Sequence, residues 1–326
     1  MKVIAALTAA VVVFPSSAFA QDRGTAQSRT PTFRSASSLV ALNVTVQDRA
    51  AKFVLGLQPD DFVVYEDGVK QDVQFFESTR VPVDLIVLID TSLSMRDKLA
   101  NVHEAASSFL KTLRSGDRGA VVGFSSTVSV LQPLTSDQAQ LESAVRSTVP
   151  YGETCLNNAV YIALKQFGQA TRQSGDVRRQ AIVLLSDGAD TASLVSFDDV
   201  IALARRMGVS IYTVSLQSQA DARQQETWGR RKNESADYAM KTLAKETGAQ
   251  AFFPAPAGLK GVYGTIASEL ASQYSIGYVP ANSQTDGRFR RVNVQVVTRP
   301  DLTSRTRLGY TADTAPLLST HGTGQR

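Results

Sequence analysis

From Ser38 onward apolar and polar positions alternate with period two. Val40, Leu42, Val44 and Val46 interleave with Ala41, Asn43, Thr45 and Gln47, the pattern of a strand with one buried face. Phe62-Val-Val-Tyr65, then Glu66-Asp67-Gly68, then Val69 to Phe76 read as a hairpin turning at Asp-Gly. Near Pro82 the rhythm changes to short apolar runs, Val83 to Ile89, Gly119 to Phe124, Ala181 to Leu185 and Val209 to Val214, with weaker runs near Val128 and Phe252. Amphipathic stretches separate them. Leu99, Val102, Ala106, Phe109, Leu110 and Leu113 recur at three- and four-residue steps, and Leu203, Ala204 and Met207, then Tyr238, Leu243 and Ala244, mark later helices. Continuous apolar strands alternating with such helices predict an α/β domain over 82–257, its mostly parallel sheet covered on both faces. Leu259, Val262, Ile266 and Leu270 predict a connecting helix over 258–271. After Ser272 the β rhythm returns in Tyr274 to Val279, Phe289 to Val297 and Arg305 to Tyr310. Neither β flank is large enough to hold a core alone, so 36–79 and 272–312 are expected to pack together as one discontinuous, sandwich-like β domain.

Composition adds bounds rather than a class of chemistry. A chain of 326 residues predicts two domains at about 150 residues each. Lys plus Arg number 34 against 30 Asp plus Glu, a surplus too small to favour nucleic acid or anionic lipid as the main partner. Lys2, the apolar run Val3 to Phe14, the Pro15-Ser-Ser break and Ala18-Phe19-Ala20 make 1–20 a signal peptide with a small-x-small cleavage site, which predicts a periplasmic or secreted protein. The run is shorter than the roughly 20 apolar residues a membrane anchor needs, and no span is expected elsewhere. Polar 21–35 is expected to be a flexible lead-in and 313–326 a loose tail. Cys155 is the one cysteine, so no intrachain disulfide supports the fold.

The candidate chemistry sits at the end of the first α/β strand, in Ile89-Asp90-Thr91-Ser92-Leu93-Ser94-Met95. Ligands of open parallel sheets bind beyond the carboxyl ends of strands. Asp90, Ser92 and Ser94 would there offer only oxygen, the donor set of a hard cation such as Mg²⁺. The same residue types also serve as N-caps of a following helix, so this run alone leaves both readings open. Gly152-Glu153-Thr154 opens another helix, and Ala181 to Leu185 delivers Ser186-Asp187-Gly188 to another strand end, which would bring three loops to one edge of one sheet.

That set resembles the metal-ion-dependent adhesion site of von Willebrand factor type A domains, over about residues 82–257. In that family two serines and an aspartate come from one loop, a threonine from a second and an aspartate from a third. The resemblance implies a Rossmann-like domain in which Asp90, Ser92, Ser94, Thr154 and Asp187 hold Mg²⁺, or Mn²⁺ or Ca²⁺ in its place. Two carboxylates and three neutral hydroxyls would leave the ion electrophilic, with one octahedral position for water or for the Asp or Glu of a protein partner. The flanks, Asp60-Asp61-Phe62-Val-Val-Tyr65-Glu-Asp-Gly68 and Ser275-Ile-Gly-Tyr278-Val-Pro280, are similar to bacterial exported proteins described as VWFA-related.

The expectation is therefore an exported metal-dependent recognition module rather than an enzyme. The alternatives are a structural module of an envelope or secreted assembly with a vestigial metal site, and a hydrolase. Ser92 stands where an Asp-x-Asp phosphotransferase needs its acid and where an Asp-Thr-Gly protease needs glycine. No phosphate loop is present. Gly258-Leu-Lys-Gly261-Val-Tyr-Gly264 lies in a helical pattern, His103-Glu104 lacks a second His four residues on, and His321 lies in the tail. Cys155 reads either as a buried filler or as a thiol activated at a helix opening. Gln217 to Ser235, with Trp228, Arg230, Arg231 and Lys232, reads as a long loop on the site's face, a connector or a specificity loop for an acidic partner. Arg288, Arg290, Arg291, Arg299, Arg305 and Arg307 read as a solvated face of the C-terminal strands, with an anionic surface as the sharper option.

Overall fold

The computed structural model describes residues 39–78, 81–174, 178–187, 190–216, 227–255 and 258–312, with backbone only for 170–174 and 227–235. The expected signal peptide 1–20, the lead-in 21–35 and the tail 313–326 lie outside the described residues. The α/β part begins with β5 (Val83–Asp90) and continues through α1 (Leu99–Leu110), β6 (Arg118–Phe124), β7 (Val128–Thr135), α2 (Gln138–Arg146), α3 (Leu156–Ser174), β8 (Arg179–Ser186), α4 (Phe197–Met207), β9 (Ser210–Ser215), α5 (Thr227–Glu246), β10 (Ala251–Phe252) and α6 (Leu259–Ser272). Its six-stranded sheet runs β10-β9-β8-β5-β6-β7, parallel throughout except for the edge strand β7. The fold is the mixed α/β architecture that the alternating runs predict.

All eight residues of β5 are buried, because its pleat feeds two cores at once. Leu85, Val87 and Ile89 pack with α1, α2 and α6, whereas Ile86 and Leu88 pack with α3, α4 and α5. Each such side chain is worth roughly 1.5–3 kcal/mol on leaving water, and this double burial explains why the run shows no polar alternation. β6 lies on one side of β5 and β8 on the other. The chain thus leaves β5 in opposite directions, and the crevice at such a switch point is where α/β sheets seat ligands.

The flanking segments form β1 (Val40–Gln47), β2 (Phe62–Glu66), β3 (Val69–Gln71) and β4 (Val73–Glu77) before the α/β part, and β11 (Tyr274–Tyr278), β12 (Phe289–Val296), β13 (Thr303–Arg305) and β14 (Gly309–Thr311) after it. They assemble as two four-stranded antiparallel sheets, β13-β1-β11-β4 and β14-β12-β2-β3. Each sheet joins strands from both flanks: Leu42 faces Ile276, and Val64 faces Val294. One apolar cluster lies between them, built from Val40, Leu42, Val44, Phe62, Val64, Tyr274, Ile276 and Val292. The β2–β3 turn places Asp67 at φ 47 and Gly68 at φ 84, the left-handed pair a two-residue hairpin requires.

Three expectations are corrected. Val69 to Phe76 is not one strand, since the ladder breaks at Asp72 and β4 crosses into the other sheet to pair with β11. Arg305 to Tyr310 is likewise split into the ends of β13 and β14, which belong to different sheets. The arginine face is not uniformly solvated. Arg290 is 7% exposed and binds Asp286, Arg305 reaches Glu269 and the carbonyl of Gly248, and Arg307 lies over the Tyr310 ring and donates to the carbonyl of Arg205. Period-two alternation reports which face a side chain takes, and here that face meets a buried carboxylate, an exposed one four residues away, an aromatic ring and backbone carbonyls.

Candidate metal centre

Asp90 ends β5 with its side chain wholly buried. Its Oδ1 accepts the backbone N–H of Ser92 at 2.8 Å, and its Oδ2 accepts the hydroxyl of Ser186, the last residue of neighbouring β8, at 2.5 Å. Burial pushes the carboxyl up to about 6, with the nearby Asp187 charge adding to the rise and the hydrogen bonds from Ser186 and Ser92 opposing it. Ser92 opens a single 3-10 turn, Leu93–Met95, yet its side chain makes no capping bond there. Its hydroxyl instead lies 3.0 Å from that of Ser94, and Ser94 donates to Asp187 Oδ1 at 2.8 Å. The one proton of Ser94 is thereby committed, so in this arrangement Ser92 is the donor between the two hydroxyls. Asp90, Ser92, Ser94 and Asp187 form a hydrogen-bonded line across the carboxyl ends of two adjacent parallel strands, joined at Asp90 through the Ser92 backbone N–H and beyond it through the serine hydroxyls. The capping reading does not account for these hydroxyls.

Thr154 arrives from the second loop and is 5% exposed. That loop is held to the first by Leu93 N donating to Gly152 O at 3.1 Å and by Tyr151 N donating to Thr91 O at 2.7 Å. Gly152 sits at φ +67, and a Cβ there would stand 2.4 Å from Ser126 Oγ, the hydroxyl that receives Glu153 N–H. Glycine is needed for both the backbone and the space. The third loop docks on the second through Thr191 and Ala192, whose N–H groups donate to Thr154 O at 2.9 and 3.0 Å. The three loops therefore share one edge, where Asp90, Ser92, Ser94 and Asp187 are joined by hydrogen bonds and Thr154 is tied in through its backbone.

Two neighbours of this edge lie outside the set read from the sequence. Ser186 orients Asp90. Lys98 places its ammonium 2.5 Å from Asp187 Oδ2, on a carboxylate whose side chain is only 3% exposed. Its spacing of four residues from Ser94, one turn on, is the signal that would have singled it out. Asp190 is engaged by Ser193 of its own loop and by Asn157 on the first turn of α3. Among the described residues no group of three or more His, Cys, Asp or Glu stands together, so this edge differs in kind from a carboxylate or thiolate cluster.

Cys155 is fully buried, and burial, followed by the charges of Asp190 and Asp90, raises its thiol pKa. The filler reading holds and the activated-thiol reading fails, because deprotonation here would place a third negative charge in a desolvated site. Iodoacetamide is expected to label Cys155 only after unfolding. Labelling of the native chain at the rate of a free thiol would contradict this. The long-loop reading of Gln217 to Ser235 is also corrected: 217–226 lies outside the described residues, but Thr227 onward belongs to the 20-residue helix α5.

The site thus stands at the carboxyl edge of a mostly parallel six-stranded sheet, beside the central strand β5. Residues 85–189 match the family model of the von Willebrand factor type A domain. A UPF0353 protein of Mycolicibacterium paratuberculosis (strain ATCC BAA-968 / K-10) is 28% identical over 200 residues, which cover 57% of this chain and 60% of that protein. The match thus spans less than two thirds of that curated relative. Among solved structures, the chain is similar to a von Willebrand factor type A protein from Catenulispora acidiphila, at 14% identity and TM-score 0.49, over 87% of this chain and 78% of that one. The vWF domain of the type V pili tip protein Mfa5 from Porphyromonas gingivalis has 16% identity and TM-score 0.46, over 57% of this chain and 94% of that domain.

Proposed function

We propose that the chain is an exported protein-recognition module in which Asp90, Ser92, Ser94, Thr154 and Asp187 hold a divalent cation, Mg²⁺ or else Mn²⁺ or Ca²⁺. The observation that carries this reading is the hydrogen-bonded line from buried Asp90 through the Ser92 N–H and the hydroxyls of Ser92 and Ser94 to Asp187. The donors fit a hard cation: all are oxygen, two are carboxylates, and the Asp90 carboxylate is buried against neutral hydroxyls at a cost its raised pKa records. A bound ion supplies an electrophilic position, and this shell of low charge leaves that position suited to the Asp or Glu of a protein partner. The chain's own residues do the rest. Ser186 fixes the outer oxygen of Asp90, Gly152 lets the second loop close on the first, and Thr191 docks the third. Export rests on the signal-peptide pattern of 1–20, and among the described residues no helix is long and apolar enough to cross a membrane.

Calorimetric titration of the metal-free chain with Mg²⁺ or Mn²⁺ is expected to show one saturable site that Asp187→Ala weakens at least about 100-fold, the scale on which loss of one ligand outweighs a second-sphere change. Equal binding by the two proteins would overturn the proposal. One observation favours a second reading: Lys98 already neutralises Asp187, so the edge can stand as a structural feature of an assembly without metal. Partner capture from the native secretome that EDTA abolishes supports the first reading, and assembly indifferent to EDTA supports the second.

A further inference from the structure

A hollow of about 670 Å³ lies at the seam between the α/β part and the sheet β14-β12-β2-β3, walled by Arg205, Lys245 and Glu246 on one side and Phe289, Arg291 and Leu308 on the other. Clefts of this size at the junction of two layers are where proteins most often seat ligands. Arg205 and Lys245 stand on the last turns of α4 and α5, where β9 and β10 begin, so the hollow is at the opposite edge of the central sheet from Asp90. Its walls are tied across the seam. Arg205 Nε donates to Glu246 Oε2 at 3.0 Å, its guanidinium lies 4.6 Å from the centre of the Phe289 ring, and Leu308 N donates to Glu246 O at 3.4 Å. The Phe289 ring rests in turn on Gly309, where a Cβ would stand 2.6 Å from its tip. The hollow is therefore shaped before any ligand arrives.

Past Arg291 and Asn293, which line both, it runs on into a second hollow of about 340 Å³ bordered by Tyr65, Gly68 and Gln295. Phe289, Arg291, Asn293 and Gln295 are the outward positions of β12 and span about 20 Å at roughly 3.4 Å per residue. An outward polar face is ordinary in an antiparallel sheet. This one is walled by two helix ends and carries cations without carboxylate partners. Glu246 is taken by Arg205, Asp67 binds the backbone N–H of Arg291 and faces Arg290, and among the described residues neither the Lys245 nor the Arg291 side chain pairs with an acid.

We propose that this groove binds an acidic polysaccharide, a sugar chain with carboxylates at intervals. Lys245 and Arg291 complement the carboxylates. Asn293 and Gln295 offer amides to hydroxyls, and Tyr65 offers a flat apolar ring with a polar tip to the face of a sugar. A peptide fits less well, since β12 is paired on both sides, by β2 and β14, and has no open ladder to offer a strand. A single-stranded nucleic acid needs successive open rings to stack on. Phe289 has one face under Arg205 and its tip on Gly309, which leaves Tyr65.

The test is calorimetry of the full chain in EDTA and physiological salt, which keeps divalent ions and the candidate metal centre out of the reading. The probes are tetragalacturonic acid and a tetrasaccharide of alternating glucuronate and N-acetylglucosamine. At least one is expected to bind saturably in the millimolar range or tighter. Its fully methyl-esterified form, which keeps the hydroxyls and loses the charge, should not bind. Lys245→Gln and Arg291→Gln should each weaken binding roughly tenfold or more, the scale of one charge-assisted hydrogen bond. Lys111→Gln, the same loss of charge just past α1, should leave it unchanged. Both lining side chains are exposed, so the variants are expected to fold, which circular dichroism checks. Saturable binding by neither saccharide overturns the proposal, as does equal binding of the esterified form. Equal weakening by Lys111→Gln shows attraction to overall charge and overturns the groove. Tetraglutamate or a thymidine tetranucleotide binding as tightly as the better saccharide overturns the assignment to sugars.

Discussion

In EDTA at pH 7.5 the Asp90→Asn chain is expected to be more stable than the unmodified one, and Mg²⁺ is expected to reverse that order. Burial raises the Asp90 carboxyl from 3.8 to about 6 in the folded chain. The folded state then holds a proton that the unfolded state has released. Stability from this group is full below about 3.8 and falls as pH rises through the window up to about 6. At pH 7.5 the metal-free chain carries the whole cost of a charged, desolvated Asp90, on the order of 3 kcal/mol at about 1.4 kcal/mol per pH unit. Asparagine keeps the shape, removes the charge and so removes the cost. A divalent ion removes the cost differently, by pairing with the charge, and should raise the melting temperature of the unmodified chain but not of Asp90→Asn. Urea denaturation at pH 4.5 and 7.5, with EDTA or Mg²⁺, checks both parts. An Asn variant that is less stable than the parent in EDTA at pH 7.5 would show that Asp90 is already satisfied without a metal.

Glu269→Ala is expected to cost about 3–5 kcal/mol, the scale of removing one partner from a buried charge pair. Glu269 lies on α6 with no exposed surface. Its Oε1 accepts hydroxyls from Thr45 of β1 at 3.1 Å and Tyr212 of β9 at 2.8 Å, while its Oε2 lies 2.7 Å from Arg305 NH2 of β13. The arginine contact is a close charge pair whose angle falls outside good hydrogen-bond geometry. Burial and the Glu269 charge together push the Tyr212 phenol well above its ordinary value, so that hydroxyl remains the donor. Truncation to alanine removes the charge partner of Arg305, which keeps its bond to the Gly248 carbonyl, and the acceptor of two buried hydroxyls on two further elements. Equilibrium denaturation measures the cost, and a loss under about 1 kcal/mol would mean that water replaces the carboxylate.

What the sequence made legible follows from how local each cause is. The parallel strands announced themselves because residues such as Leu85 to Ile89 are buried on both faces, which leaves no polar alternation to confuse. The edge carrying Asp90, Ser92 and Ser94 was legible because strand ends place short polar side chains there whatever the rest of the chain does. Polar α2 was not singled out, since Leu141, Ala144 and Val145 alone face the core. Arg305 and Arg290 were misread because their meaning depends on Glu269 and Asp286, and no periodicity reports a partner. The break at Asp72 was hidden for a similar reason: the alternation continues while the chain changes sheets. Lys98 had a spacing signal that the amphipathic reading of α1, which starts one residue later, passed over.

The pairing of β4 with β11 sets Glu77 directly opposite Ser275. The whole run of chain between them leaves the β layer and rejoins it through neighbouring strands, at ends only about 5 Å apart in a ladder of this kind. A tight hairpin of a few residues spans such a gap. Connectivity alone therefore does not oblige the sheets to carry the intervening part, and a different cargo with closely spaced termini would fit the same socket.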